Sequence, residues 1–145
     1  MQRNKTAAAG FILFRSFNGV YKMLCLWDKD GRGDTPKGRC DDKDVNIFHT
    51  AQRECFEETS IMVAKNDVIS QETLFLNKRL TLFCAITDQD VEIRQNPESG
   101  KYEHLHFEWV CADTFQKMLP DYLKPAIPWG NAVLEQYLTL DSEGY

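Results

Sequence analysis

The sequence predicts one domain that mixes helices and strands, in the α/β or α+β class, with strands running in both directions. Its length of 145 residues suits one hydrophobic core of ordinary size and is too short for two. Apolar runs typical of strands occupy the N-terminal third and return in the middle of the chain, with a stretch of helical spacing between them. Strands and helices do not alternate strictly, so a mixed sheet is expected.

Two strands and a loop are predicted at the start of the chain. Residues 7–14 and 20–27 are rich in apolar side chains, and Phe17, Asn18 and Gly19 form a turn signal between them. The following segment, DKDGRGDTPKG at 28–38, is dense in glycine, aspartate and proline, so we expect a loop there.

A helix is predicted over residues 46–61, where the spacing of the apolar side chains changes. At about 100° per residue, one arc of this helix collects the apolar side chains Ile47, Phe48, Ala51, Cys55 and Met62. No glycine cap marks the end of the helix around residues 60–63.

The C-terminal half predicts further strands and two closing helices. The expected strands are residues 73–75 and 80–87 around a turn at 77–79, a short edge strand at 91–94, and a half-buried strand at 104–110 after a polar loop at 95–101. The expected helices are residues 113–119 and 131–140. Pro120, Pro125 and Pro128 confine the connection between these helices to loop or extended structure.

The composition excludes several classes of protein. Hydrophobic residues make up 43% and charged residues 27%, which argues against disorder, and no stretch approaches the roughly 20 apolar residues of a membrane span. The formal charge of −5 disfavours a general nucleic-acid coat protein, although a basic pocket or a metal ion can still attract a small anion. Five scattered cysteines and an N-terminal segment that is more typical of a first strand than of a targeting signal predict a cytoplasmic or nuclear protein with reduced thiols.

Three carboxylates in the predicted helix are the strongest chemical signal. Glu54, Glu57 and Glu58 stand at positions i, i+3 and i+4, so a helix places them on one arc, where like charges repel. A hard divalent cation such as Mg²⁺ prefers oxygen ligands and removes this conflict. The alternative interpretation is a solvated acidic helix face, which is the commoner origin of an isolated EXXEE pattern.

The loop before the helix favours the metal interpretation. It ends in Thr35-Pro36-Lys37-Gly38, and a glycine there permits close approach of a ligand to the backbone. The Gly38 carbonyl offers one more oxygen ligand, and Lys37 offers a cation for a phosphate.

The segment from Gly38 to Ile61, GRCDDKDVNIFHTAQRECFEETSI, resembles the signature of the Nudix hydrolases. The matching residues are Gly38, Arg53, Glu54, Cys55, Glu57, Glu58 and Ile61. The segment departs from the signature in one extra residue before Arg53, in Asp44 at the first acidic position (Val45 when counted back from Arg53), and in Ser60 at the last glycine position. The resemblance implies one Nudix domain over residues 1–145, folded as an α/β/α sandwich with a mixed β-sheet. In that family the first acid supports the loop through the arginine, and Asp41, Asp42 or Asp44 could fill this role.

Other segments are similar to the asymmetrical diadenosine tetraphosphate hydrolases of animals. They are TPKG, the turn at 77–79, DVEIR at 90–94, and the Glu103-His104 pair shortly before Trp109. This narrower resemblance implies that Glu103 brings another carboxylate to the metal site. A surface loop acid is the alternative interpretation of Glu103.

The resemblance implies hydrolysis of a phosphoanhydride bond in a substrate built on a nucleoside diphosphate, with diadenosine tetraphosphate as the first candidate. Mg²⁺ or Mn²⁺ would be held by Glu54, Glu57, Glu58 and Glu103 with the Gly38 carbonyl, and would lower the pKa of a bound water. Glu58 or Glu103 would act as general base, and Arg53 would orient the glutamates.

Further residues are candidates for binding the substrate. The candidate phosphate contacts are Lys37, Lys78 and Arg79. The alternative interpretation of Lys78 and Arg79 is that they lie at the solvated tip of a hairpin. The candidate rings for stacking on a base are Phe75, Phe83 and Tyr102, for which a place in the core is the alternative.

Two other interpretations of the function stay open at the level of sequence. The first is an enzyme for RNA 5′ ends, nucleotide sugars or diphosphoinositol phosphates, although the acidic charge argues against long RNA. The second is a non-catalytic nucleotide-binding Nudix module, suggested by the extra loop residue, Val45 and Ser60. A monomer without membrane contact is expected.

Overall fold

The computed structural model describes residues 7–142. Within them the strands are β1 Ala8–Phe17, β2 Val20–Trp27, β3 Gly33–Asp34, β4 Lys37–Arg39, β5 Leu74–Leu76, β6 Leu80–Ile86 and β7 His106–Val110. The α-helices in the same range are α1 Ile47–Thr59, α2 Ala112–Met118 and α3 Ala126–Ser142. Short 3₁₀ segments occupy Lys65–Asp67, Asn77–Arg79 and Asp121–Leu123. Residues 1–6 and 143–145, which the one-domain prediction included, lie outside the described residues.

The strands form one mixed sheet around β1. Strand β6 runs parallel to β1 along one edge, from Ala8 opposite Leu80 to Phe14 opposite Ile86. The other edge of β1 pairs antiparallel with β4 in its first half and with β2 in its last four residues. Strand β5 pairs antiparallel with β6, and β3 and β7 both pair antiparallel with β2. The mixed strand directions predicted from the sequence are confirmed.

The apolar residues of β1 and β2 alternate between two cores, one on each face of the sheet. Phe11 and Leu13 pack on the α1 side together with Ala51 and Cys55 of that helix. The intervening side chains of β1 and β2 pack on the opposite side against α2 and the start of α3, where Phe115, Leu119, Leu123, Ala126 and Ile127 are buried. Both faces are therefore covered, which explains why these strands are continuously apolar and confirms the α/β/α sandwich.

The first hairpin turns through Asn18 and Gly19. Both have positive φ angles, 54° and 87°, as a two-residue turn of the kind favoured between antiparallel strands requires. The turn was predicted correctly, and β1 continues three residues further than expected, to Phe17.

Helix α1 is capped by a side chain at its start and by a left-handed residue at its end. The Asn46 side chain accepts a hydrogen bond from the His49 backbone N–H at 2.8 Å, which satisfies one donor of the first turn. Ser60 ends the helix with a left-handed backbone conformation, at φ 67°. Glycine is the residue that usually occupies this position. The Ser60 backbone N–H donates to the Phe56 carbonyl, and the Ser60 hydroxyl donates to the Glu92 carbonyl at 2.9 Å.

Three local predictions are wrong. The loop at 28–38 contains the short strands β3 and β4, because its backbone pairs with β2 and β1. Residues 91–94 form no strand and instead donate backbone hydrogen bonds to the end of α1, with Glu92 N–H bonded to the Thr59 carbonyl at 2.8 Å. Helix α3 starts at Ala126 rather than at 131 and includes Pro128, which is tolerated in a first turn because its missing N–H needs no partner there.

Among residues 7–142, no helix has both the length and the apolar character that a membrane span needs.

Candidate active site

The three carboxylates of α1 lie where the helix passes the β4 backbone. Gly38 of β4 faces Glu54 so closely that a Cβ atom at this position would overlap the Glu54 carboxylate. A side chain at this position would therefore displace the Glu54 carboxylate, and glycine lets that carboxylate approach the β4 backbone closely. Glu54 and Glu57 are half-buried, and Glu58 is buried with 7% exposure.

Arg53 ties this helix to the preceding loop. Its guanidinium donates two hydrogen bonds to the Asp44 carboxylate, from Nε at 2.8 Å and from Nη2 at 2.9 Å, and a third to the Arg39 carbonyl at 2.9 Å. Its Nη1 also lies 3.2 Å from Glu57 Oε1 and 3.4 Å from Glu54 Oε2. Of the three acids considered for the supporting role, the structure thus selects Asp44.

The extra residue of the loop is accommodated at Val45. Its side chain is 83% exposed, while its backbone N–H donates to His49 Nδ1 at 3.1 Å. Because the insertion points into solvent, Asp44 still reaches Arg53 across an eight-residue separation.

The Glu58 carboxylate is buried and makes no hydrogen bond to the described residues. Neither carboxylate oxygen has a hydrogen-bond partner among the described residues, and His104 Nδ1 lies 3.6 Å from Oε1. Burial raises the pKa of Glu58 well above its usual value, and the negative charges of Asp34 and Glu54 raise it further.

A buried chain of polar groups lies behind Glu58. His104 Nε2 is 3.0 Å from Asp34 Oδ2, and Lys37 Nζ is 3.0 Å from Asp34 Oδ1. Burial alone would raise the pKa of Asp34, but the hydrogen bond with His104 and the charge of Lys37 outweigh it and lower the pKa below its usual value. Asp34 was not predicted as a site residue. The sequence feature that could have indicated it is its position directly before Thr35-Pro36-Lys37-Gly38.

Glu103 completes the group of carboxylates at the rim of the same cleft. Its Oε1 accepts a hydrogen bond from Asn96 Nδ2 at 2.6 Å. The cleft is lined by Glu54, Glu57, Glu58, Arg94, Asn96, Pro97, Glu103 and His104. Burial raises the pKa of Glu54 to about 7; the charge of Arg53 opposes this rise, and the charges of Glu57 and Glu103 add to it.

A basic cleft adjoins the Gly38 side of these carboxylates. It has a volume of about 410 Å³ and is lined by Ala7, Ala8, Lys37, Gly38, Arg39, Lys78, Leu80 and Tyr122. Lys78 Nζ lies 4.3 Å from the centre of the Tyr122 ring. Of the predicted phosphate contacts, Lys37 and Lys78 line this cleft, whereas Arg79 does not. Tyr122 was not among the predicted rings because its short 3₁₀ segment lies far from the motif in sequence.

The rings predicted to stack on a base are separated by the structure. Phe83 packs against Phe11 and Phe48 at centroid distances of 5.8 and 5.2 Å, so its ring belongs to the core on the α1 side. Tyr102 is exposed beside Glu103, and Phe75 is exposed on β5.

A model of the NUDIX domain matches residues 4–130. The chain belongs to the NUDIX family. The comparison with curated proteins gave no match. Among solved structures, this Nudix chain is similar to a C. elegans Ap4A hydrolase in a binary complex, at 22% identity with a TM-score of 0.59 over 95% of this chain and 98% of that one.

Two other solved structures share the fold with this Nudix protein. The NUDIX domain of Shewanella oneidensis NrtR, complexed with ADP ribose, has a TM-score of 0.69 at 17% identity over 92% of this chain and 90% of that one. The E. coli dihydroneopterin triphosphate pyrophosphohydrolase has a TM-score of 0.60 at 18% identity over 83% and 90%. Family membership makes the protein a pyrophosphohydrolase acting on nucleoside diphosphate derivatives.

Nudix hydrolases generally use divalent metal ions, and the carboxylate cleft fits such an ion. Within residues 7–142, no three acidic, imidazole or thiol groups converge closely enough to ligate one ion. Glu57 contacts Arg53 instead, and Glu103 accepts a hydrogen bond from Asn96. The donor set is nevertheless suitable, because hard cations take carboxylate oxygens. The unpartnered oxygens of buried Glu58 are the observation that supports the fit, because a buried carboxylate is costly unless something pairs with it.

Proposed function

We propose that this Nudix protein hydrolyses a dinucleoside polyphosphate, with diadenosine tetraphosphate as the best candidate and ATP and AMP as products. The observation that carries the proposal is the buried, unpartnered Glu58 carboxylate in an acidic cleft that adjoins a basic one. An acidic cleft repels phosphate unless cations intervene, and a basic cleft beside it attracts the rest of the same molecule.

Glu54, Glu57, Glu58 and Glu103, with the Gly38 carbonyl, are the proposed ligands for Mg²⁺ or Mn²⁺. When bound, the ions neutralise charge on the phosphates and lower the pKa of a water that attacks phosphorus. Because the pKa of Glu54 is raised to about 7, a cation must displace a proton there at neutral pH. We therefore expect metal affinity to rise as the pH rises through 7.

The proton of the attacking water passes to a carboxylate at the rim of the cleft. The water oxygen forms the new bond to phosphorus, and the bridging oxygen leaves with the other nucleotide, so one water is consumed for each bond broken. Of the two predicted bases, Glu103 is exposed at the rim of the cleft, where a water can reach its carboxylate, and this suits a proton acceptor. Glu58 is buried with unpaired oxygens and suits a metal ligand better. Arg53 orients Glu57 and the loop and is a positioning residue.

The basic cleft is the proposed site for one nucleoside and its phosphates. Lys78 is exposed and can reach a phosphate directly. Lys37 is paired with Asp34 and acts as a fixed positive charge in the wall of the cleft. Tyr122 offers a ring face for a base. The similarity to a C. elegans protein described as an Ap4A hydrolase supports this substrate class.

The experiment is turnover of diadenosine tetraphosphate by the purified protein in Mg²⁺, with the products separated by chromatography. We expect ATP and AMP in equal amounts. Glu57→Gln and Glu58→Gln should lower kcat by orders of magnitude while thermal unfolding stays cooperative, and the exposed control Glu72→Gln should keep full activity. Unchanged turnover in both site variants would remove the assignment of the site.

A substrate panel tests the alternatives. Triphosphorylated or capped RNA ends, nucleotide sugars and diphosphoinositol phosphates are offered at the same concentration, with Mg²⁺ and with Mn²⁺. Faster turnover of one of these by the wild type would replace the proposed substrate. Tight binding measured by calorimetry without any product would favour a binding module instead.

A further inference from the structure

A second cleft opens on the other side of Glu57. It has a volume of about 470 Å³ and is lined by His49, Gln52, Arg53, Phe56, Glu57, Met62, Arg94, Gln95 and Pro97. The volume falls within the range of small-molecule sites. Phe56 and Met62 are 37% and 49% exposed here, so two large apolar side chains of this cleft face solvent.

Arg94 gives the cleft a flat cationic surface. Its guanidinium carbon lies 4.6 Å from the centre of the Phe56 ring, and its Nη1 donates to the Phe56 carbonyl at 3.5 Å. The ring supports one face of the guanidinium, and Arg94 is exposed. A guanidinium plane held in this way is a surface on which an aromatic base stacks.

The second cleft is continuous with the carboxylate cleft. Glu57, Arg94 and Pro97 line both of them. Arg53 lies between the basic cleft and the second cleft. Its guanidinium donates to the carbonyl of Arg39, which lines the basic cleft, and contacts Glu57, which lines the second cleft. The carboxylates that would hold the reacting phosphates therefore lie between two clefts, each with exposed aromatic or cationic surface.

We propose that the Phe56–Arg94 cleft binds the second nucleoside of a substrate that carries one at each end. This inference rests on the proposed function, since it assumes that a polyphosphate chain crosses the carboxylates. The base stacks on Arg94 and Met62, and the amide and imidazole groups of Gln52, Gln95 and His49 are close enough to the cleft to meet polar edges of the base or the ribose. The cleft selects a second aromatic heterocycle over a terminal phosphate or a sugar alone.

Charge and size favour this occupant over a peptide. The cleft combines the cation Arg94 with the apolar Phe56 and Met62, and it adjoins the acidic Glu57. The base and ribose of a nucleotide are neutral and suit the part of the cleft around Phe56, Met62 and Arg94. Its negative charge lies only on the phosphates, which would reach the metal site beside Glu57. A peptide partner would need a longer surface than this short recess between α1 and residues 94–97 supplies.

The test compares two ligands on each protein. The first is a diadenosine tetraphosphate analogue with methylene groups replacing the bridging oxygens, and the second is adenosine 5′-tetraphosphate, which lacks the second nucleoside. Dissociation constants are measured by calorimetry in Mg²⁺ for wild type, Arg94→Ala, Phe56→Ala and the control Tyr137→Ala on α3, which is exposed and remote in sequence from the cleft.

We expect both cleft variants to bind the two-headed analogue about five- to tenfold more weakly, the scale of one lost base stack. Their affinity for adenosine tetraphosphate should stay at the wild-type value, and Tyr137→Ala should change neither constant. Equal loss for both ligands in Arg94→Ala would make Arg94 a phosphate contact and overturn the inference. No loss in either cleft variant would overturn it as well.

Binding and turnover separate this inference from the proposed function. If the wild type discriminates between the two ligands through Arg94 and Phe56 but hydrolyses no dinucleoside polyphosphate, only the proposed reaction fails. If it hydrolyses diadenosine tetraphosphate and the cleft variants bind it as the wild type does, only the second nucleoside site fails. Because Phe56 lies on α1, an unfolded Phe56→Ala leaves the decision to Arg94→Ala, whose side chain is outside every helix and strand described.

Discussion

The pair formed by Arg53 and Asp44 makes a quantitative prediction about stability. Asp44 accepts two hydrogen bonds from Arg53, one from the Thr50 hydroxyl at 2.7 Å and one from the Asp41 backbone N–H at 2.9 Å. Its side chain is only 3% exposed. In Asp44→Asn the charge is lost and one amide hydrogen faces a donor, while the volume is kept. Hydrogen bonds to a charged group contribute about 1.5–3 kcal/mol each, but neighbouring bonds are not additive. We expect a loss of about 2–3 kcal/mol in the free energy of unfolding, or a Tm lower by about 5–10 °C.

The effect must depend on pH with a defined sign. The hydrogen bonds from Arg53 hold the pKa of Asp44 well below its usual range. A carboxyl whose pKa is lowered by folding stabilises the protein fully above its unfolded value of about 3.9, and this contribution is lost as the pH falls through the folded pKa. The difference between wild type and Asp44→Asn should therefore be constant from about pH 5 to 8 and should shrink below about pH 4.

Urea unfolding followed by circular dichroism, at several pH values, measures this difference. The matched control is Asp90→Asn, because Asp90 also pairs with an arginine, Arg15 at 3.1 Å, but is 95% exposed in its side chain. Exposed pairs contribute about 0–1 kcal/mol, so the control should stay within that range. Equal effects of the two substitutions, or an Asp44→Asn effect that persists unchanged at pH 2–3, would refute the argument.

Three further predictions concern the carboxylate cleft and its helix. Gly38→Ala should lower kcat by about 100-fold, because the added Cβ would displace the Glu54 carboxylate, and misplacement by about 1 Å has an effect of that size. A lower Tm with a normal kcat would contradict this role of Gly38. Glu58→Gln should raise the Tm of the metal-free protein at pH 8, because it removes an acid whose ionisation burial disfavours, and Mn²⁺ should then stabilise wild type but not the variant in differential scanning fluorimetry. Ser60→Ala should cost about 1 kcal/mol by removing the bond to Glu92, whereas Ser60→Gly should be close to neutral in urea unfolding because the relief of a positive φ offsets the lost bond.

The mixed sheet could be predicted from the apolar runs, whereas the α/β/α layers were implied by the resemblance to the Nudix hydrolases. The runs at 7–14 and 20–27 are apolar on both faces, and the structure covers both faces of these strands. The predicted core-facing arc of α1 is confirmed for Ile47, Phe48, Ala51 and Cys55. It is wrong for Met62, which lies beyond the end of α1 and is 49% exposed. Residues 91–94 misled the prediction, since Val91 and Ile93 do face the core on the α1 side, but their backbone partner is the end of α1 rather than a strand. The spacing of apolar side chains indicates which residues are buried. It does not indicate which backbone groups their own N–H and C=O groups bond to.

Some features of the candidate site could likewise be predicted from the sequence, and others could not. Glu54, Glu57 and Glu58 were predictable as a group because one helix carries them at fixed spacing. The contacts of Asp34 with His104 and of Arg94 with Phe56 join residues that are far apart in sequence, and a single sequence gives no sign of such contacts. The choice of Asp44 among three aspartates also required the structure, because it depends on which side chain the loop turns toward Arg53.

Each departure of this chain from the Nudix signature is accommodated by local contacts. The extra residue costs nothing at the site because Val45 points into solvent and Asp44, two residues before the Asn46 cap, still meets Arg53. Aspartate is shorter than glutamate, and the loop compensates by bringing the Asp44 carboxylate next to Thr50 at the start of α1. Ser60 adopts the left-handed conformation of the glycine it replaces and adds a bond to Glu92, which holds the segment leading to Arg94 against the end of the helix. The departures from the signature therefore give no structural reason to expect a non-catalytic module, and one of them, Ser60, bonds the segment that leads to Arg94 to the helix that carries the carboxylates.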